Sequence, residues 1–155
     1  MTNNLNTVNL NPILIKMVED KILETLQLAQ NRFNRNFPIP NLSFKLKSKR
    51  VAGKAHYALN LIKINPLFLN QFTLNVLHRT VPHEVAHLIT HAVYPQAKQH
   101  HGPEFRAVMR RLGNEDCSTY HTMRLDTSLI PRKTNVINKR LEWAERILNN
   151  NKNKI

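Results

Sequence analysis

The chain has 155 residues, enough for one domain with a real core, and its 23 Lys+Arg against 10 Asp+Glu give a net charge of +13. The single cysteine, Cys117, excludes an internal disulfide framework and a cysteine-based zinc ribbon. The start Met1-Thr2-Asn3-Asn4 lacks a basic segment followed by an apolar one, and no apolar run is long enough to span a bilayer, so a cytoplasmic location with no membrane partner is expected.

Residues 1–11 are expected to form a flexible N-terminus. Asn11-Pro12 reads as an N-cap followed by proline at the first helical position. Leu14, Val18, Ile22, Leu26, Ala29 and Phe33 then recur at helical spacing, which predicts an amphipathic helix over 12–35, ended by Phe37-Pro38-Ile39-Pro40. Leu42, Phe44 and Leu46 alternate with Ser43, Lys45 and Lys47, the period-two pattern of a half-buried strand with lysines outward. Gly53 marks a turn. Ala55, Tyr57 and Leu59 suggest a second strand, and Leu61 to Ile64 a third, joined at Asn60 by a tight turn. A small antiparallel β-sheet of about three strands follows, closed by Asn65-Pro66. From Thr73 to Val93 the pattern is helical again. Pro82 inside it removes a backbone donor, so the helix either restarts or kinks there. Tyr94-Pro95 stops it and residues 96–100 form a polar loop. Gly102-Pro103 starts a short helix carrying Phe105, Val108, Met109 and Leu112, with Gly113 as C-cap. Residues 114–131 carry little pattern. Ile137, Leu141, Ala144 and Leu148 mark a C-terminal helix expected over 131–149, and 150–155, almost all Asn and Lys, should be a disordered tail. The fold class is α+β, with one main domain over 12–130.

His83-Glu84-Val85-Ala86-His87 falls in the second long helix. Positions i and i+4 share a helix face roughly 5–6 Å apart, so two imidazoles can reach one metal ion with Zn–N bonds of about 2.0–2.1 Å. Glu84, one residue after the first histidine, is placed to deprotonate a metal-activated water as general base. A helix of this kind after a sheet is the order of a zincin-like domain. His101 is the expected third ligand: Gly102 permits an unusual backbone angle and Pro103 starts a helix, so the side chain is held at a rigid helix start. His100 should point elsewhere, and His91, in line with His87, cannot complete a tetrahedral corner. Glu104 is the alternative third ligand. His56, His78 and His121 carry no ligand motif. Three protein ligands leave one position open on a single Zn2+, which distinguishes a catalytic site from a structural one and points to a peptidase. Tyr94, Tyr120 or His121 is available to steady an oxyanion, and spacing does not choose between them.

Charge suggests a further partner. From Thr25 to His83 there is no acidic residue, and the span carries Arg32, Arg35, Lys45, Lys47, Lys49, Arg50, Lys54, Lys63 and Arg79. A field of that sign attracts polyanions, DNA above all. Lys45, Lys47 and Lys49, on one strand face, with Arg50 and Lys54, are the candidate phosphate contacts. The plainer role for the lysines is to protect an edge strand from aggregation.

Val81-Pro82-His83-Glu84-Val85-Ala86-His87-Leu88, followed by His101-Gly102-Pro103-Glu104-Phe105, resembles the SprT-like metalloprotease domain, a family with bacterial members and the eukaryotic DNA–protein crosslink protease Spartan. Ala52-Gly53-Lys54-Ala55 and Ile62-Lys63-Ile64-Asn65-Pro66-Leu67 resemble the strand-turn-strand before that family's zinc helix, and the likeness covers about 12–125. It implies a zinc-dependent peptidase acting on DNA-linked protein substrates, with His83, His87 and His101 as ligands and Glu84 as catalyst. Many bacterial relatives carry a C-terminal cysteine-rich ribbon. With Cys117 alone, DNA contact here has to come from the basic surface. The competing function is a basic DNA-binding protein with a structural or silent zinc site. Glu84 argues against it, because such a site needs no carboxylate there.

Overall fold

Helix α1 shows how local chemistry sets the boundaries of an element. In this computed structural model, which describes residues 10–118 and 120–130, α1 spans Pro12–Phe33. Asn11 Oδ1 accepts the Ile13 N–H at 2.9 Å, and Pro12 occupies the first turn, where a missing N–H costs nothing. Asn34 ends the helix in the left-handed conformation (φ 48°), its N–H donated to the Gln30 carbonyl. Val18, Ile22, Leu26 and Ala29 are buried along one face, as the periodicity requires. Each of the larger ones contributes about 1.5–3 kcal/mol by leaving water.

The chain divides into two compact units, and Thr7–Leu125 holds everything described here except a 3-10 turn at Thr127–Leu129. The C-terminal helix expected over 131–149, the tail at 150–155 and residues 1–9 lie outside the described residues.

The sheet is mixed, where the sequence suggested an antiparallel one. Strand β1 (Asn41–Ser43) pairs parallel with β3 (Leu61–Ile64), and β2 (Gly53–His56) pairs antiparallel with β3 on its other side, giving the order β1-β3-β2. The reason lies between β1 and β2. Asn65 is fully buried and its amide donates to the carbonyls of Ser48 (2.7 Å) and Val51 (2.8 Å). These bonds draw residues 44–52 out of the ladder, so β1 stops at Ser43 and the chain crosses to the far edge. The alternation survives outside the strand: Lys45, Lys47 and Lys49 are exposed, while Phe44, Leu46 and Ser48 are half-buried. Strand β2 is shorter than expected, because Tyr57–Leu59 form a 3-10 turn ending on Asn60 (φ 43°), the tight turn into β3.

Asn65 also accepts the Leu67 N–H at 3.1 Å, capping a helix the sequence did not suggest, α2 (Pro66–Gln71). After the short α3 (Thr73–Asn75), a π turn at Val76–Thr80 leads into α4 (Val81–Val93). The wider turn accommodates Pro82, which cannot donate to a carbonyl four residues back. Helix α4 packs against α1, the sheet and α5 (Pro103–Arg111). Arg35 Nη1 donates to the Ala92 carbonyl at 2.8 Å, closing the C-terminal end of α4. Helix α5 ends as expected at Gly113 (φ 76°), where the N–H groups of Gly113 and Asn114 return to the Arg110 and Met109 carbonyls.

Candidate metal centre

Helix α4 is apolar over most of its circumference, with Val81, Val85, Ala86 and Ile89 in the core. The remaining face carries His83, Glu84 and His87 into a groove they line together with β2. The buried Phe105 of α5 closes the far side, with its ring 4.9 Å from His83, 4.4 Å from His87 and 5.0 Å from His101. The loop before α5 thereby returns His101 to the two helical histidines.

Their Nε2 atoms form a near-equilateral triangle: His83–His101 3.1 Å, His83–His87 3.2 Å and His87–His101 3.0 Å. A tetrahedral ion with bonds of 2.0–2.1 Å puts its donors about 3.3 Å apart, so the spacing suits one ion. A neutral imidazole has a single N–H for its two nitrogens, so three of them cannot satisfy one another at a common point. A shared cation satisfies all three. Burial, reinforced by the neighbouring His101, pushes His83 down to about 4, and burial with His83 and His101 pushes His87 down to about 3. Burial also lowers His101. All three are therefore neutral near pH 7, the form that binds a metal.

Among the described residues this is the cluster of His, Cys, Asp and Glu able to hold an ion, and Glu104, the alternative ligand, is not part of it. Gly102 has φ −74° and ψ −170°, ordinary extended backbone, so the expectation of an unusual angle is corrected. What glycine supplies there is room, since a Cβ would stand 3.0 Å from Gln99 Cβ.

Glu84 is 7% exposed, and burial pushes its carboxyl up to about 7, opposed in part by the backbone N–H of Ala55, which hydrogen-bonds it. With Gly53 and His83 it lines both a cavity of about 160 Å³ and a wider groove of about 790 Å³. Arg50, Arg79, Tyr120 and His121 face the smaller space, and an ion pair joins Arg79 to Asp116. Lys54, Tyr57 and His100 face the larger. His83 and Glu84 therefore face both spaces, while His87 and His101 face the larger one alone.

A family model described as the SprT-like family matches residues 22–127. The chain belongs to the SprT-like family. It is similar to Protein SprT of Vibrio parahaemolyticus, 38% identical over 113 residues that cover 73% of this chain and 66% of that protein. It resembles Protein SprT of Vibrio atlanticus at 38% over 108 residues (70% and 64%), and that of Pseudomonas fluorescens at 37% over 112 residues (70% and 68%). The chain spans just under two thirds of the length of the two Vibrio relatives. No solved structure matches it significantly. No helix among the described residues is long and apolar enough to cross a membrane.

Beside the three histidines, Tyr57 is the residue that spacing did not reveal. Its hydroxyl is 2.6 Å from His100 Nδ1, and its ring stacks on His91 at 4.9 Å, so His91 and His100 contact Tyr57 and stand outside the three-histidine cluster. Only the folded 3-10 turn brings them together. Of the oxyanion candidates, Tyr120 and His121 line the smaller cavity. Tyr94 lies at the exposed end of α4 and lines neither space. Among the basic residues, Arg50 and Lys54 reach the edges of the site, whereas Lys45, Lys47 and Lys49 line neither space.

Proposed function

We propose that the chain is a zinc-dependent peptidase acting on DNA-associated or DNA-crosslinked proteins. The observation that carries this reading is the convergence of His83, His87 and His101 Nε2 within 3.2 Å of one another, beside the buried carboxylate of Glu84. His83, His87 and His101 would hold one ion beside the groove that they help to line. A bound zinc supplies Lewis acidity, polarising a peptide carbonyl and acidifying water. The residues supply the rest. Glu84, with its proton affinity near neutrality, takes a proton from the attacking water and returns it to the departing amine. The Ala55 N–H steadies the carboxylate between these transfers. Tyr57 and Tyr120 bring hydroxyl groups into the two spaces that can donate to the carbonyl oxygen, whereas the His121 Nε2–H is held by the Arg50 carbonyl at 2.9 Å.

DNA would meet the exposed row Lys45, Lys47 and Lys49 and then Arg50 and Lys54 at the margins of the site. A protein bound to that DNA would be delivered to the groove.

The test is cleavage of a basic, DNA-bound protein by the wild-type chain and Glu84→Gln, with and without DNA. DNA-stimulated cleavage that disappears in Glu84→Gln is expected. Absence of cleavage with metal still bound would favour a DNA-binding protein with a silent metal site.

A further inference from the structure

Strand β2 touches Glu84 in two places. The Ala55 N–H hydrogen-bonds the carboxylate. At Gly53 the contact is made by bare backbone: a Cβ there would stand 2.9 Å from Glu84 Cγ, 3.2 Å from Glu84 Oε1 and 2.7 Å from Thr80 Cγ2. Gly53 sits in the ladder opposite Ile64, without the positive φ of Gly113, so space rather than backbone angle calls for glycine. Its neighbours cannot easily retreat. Glu84 is buried in α4, and Thr80 closes the π turn that seats Pro82. Close-packed interiors accommodate an added methyl only by displacing something.

We propose that Gly53 is a positioning residue of the site, presenting bare backbone to Glu84 so that the carboxylate keeps one rotamer and stays on the Ala55 N–H. Its catalytic consequence rests on the hydrolase reading above, while the positioning can be read without activity. The two clashes are separable. Thr80→Ser removes the Cγ2 and keeps the hydroxyl, so Gly53→Ala/Thr80→Ser relieves the strand and leaves only the push on Glu84.

The experiment compares wild type, Thr80→Ser and the double variant, each zinc-loaded, by metal content, by kcat and KM on the DNA-bound substrate, and by crystal structures. All three should bind one ion per chain. The double variant should lose about 100-fold in kcat with KM little changed, the scale expected when a reacting group is misplaced by about an ångström. Its crystal structure should show Glu84 turned off the Ala55 N–H. A double variant that cleaves at the Thr80→Ser rate, or keeps Glu84 on Ala55, overturns the proposal. If the wild-type chain cleaves nothing, the hydrolase reading fails and the position of Glu84 in the crystal structures decides this one. A stability cycle gives a second measure: Gly53→Ala should cost less in a Glu84→Ala background, and an equal cost in both backgrounds would also overturn the contact.

Discussion

Burial moves the proton affinities of Glu84 and of the two helical histidines in opposite directions, and each shift has a sign in stability. The Glu84 carboxyl rises from 4.5 to about 7, so the fold prefers it protonated. The resulting penalty is absent below pH 4.5, grows between 4.5 and 7, and is complete above 7. Glutamine imitates the protonated acid and carries no such penalty. Metal-free Glu84→Gln should therefore be more stable than metal-free wild type by about 3 kcal/mol at pH 8, with the gap closing by pH 4.5. Chemical denaturation at the two pH values measures this, and a constant gap would refute it. His83 and His87, pushed down from 6.5 to about 4 and about 3, act the other way in both proteins. Unfolded chains take up those protons first, so the metal-free fold loses stability as pH falls from 6.5 toward 3.

At the scale of elements, the start of α5 brings in His101 and the helix builds the wall behind all three histidines. Phe105 follows His101 by four residues and is fully buried against the three imidazoles. Phe105→Ala should lower unfolding free energy by about 3–5 kcal/mol. It should also weaken metal binding by about 10–100-fold, because the rings lose the contact that orients them. Phe105→Leu should recover most of both losses, as read by denaturation and competition with a chelator. The pair His83 and His87 was legible because i,i+4 spacing is a local property of one helix. His101 was legible because Gly102-Pro103 announces a helix start. The parallel pairing of β1 was not, because alternation says which residues face inward but not which strand lies alongside. Gly53 read as a turn, since its contact with Glu84 exists only once β2 and α4 have met. Tyr57 read as a strand residue for the same reason, its partners His91 and His100 being 34 and 43 positions away.

Across the whole molecule, the +13 charge is uneven, with no acidic side chain from Thr25 to His83. Each phosphate contact contributes about 0.9 to the slope of log affinity against log salt. Reversing Lys45, Lys47 and Lys49 to Glu should therefore weaken binding to duplex DNA and flatten that slope by about 2–3. An unchanged slope would leave the lysines as solvated surface charge; the edge-strand role the sequence suggested is excluded, because β1 ends at Ser43. A bound ion would report on the molecule as a whole as well. Ion binding that spans α4 and the start of α5 favours the folded state by mass action, so chelation should lower Tm. Free zinc at 100 times its dissociation constant should restore about 2.7 kcal/mol, followed by calorimetry against zinc concentration.

Asn65 ties these scales together. One uncharged, fully buried amide gathers the Ser48 and Val51 carbonyls and caps α2 through Leu67, while Ser48 Oγ accepts the N–H groups of Arg50 and Val51. The segment that displays Lys45, Lys47 and Lys49 is thus fastened from beneath, although it belongs to no regular element. At its Ser48–Val51 end an anion would have less main chain to freeze, and more of its entropic toll would fall on the side chains. One uncharged amide thus preorganises part of a charged surface.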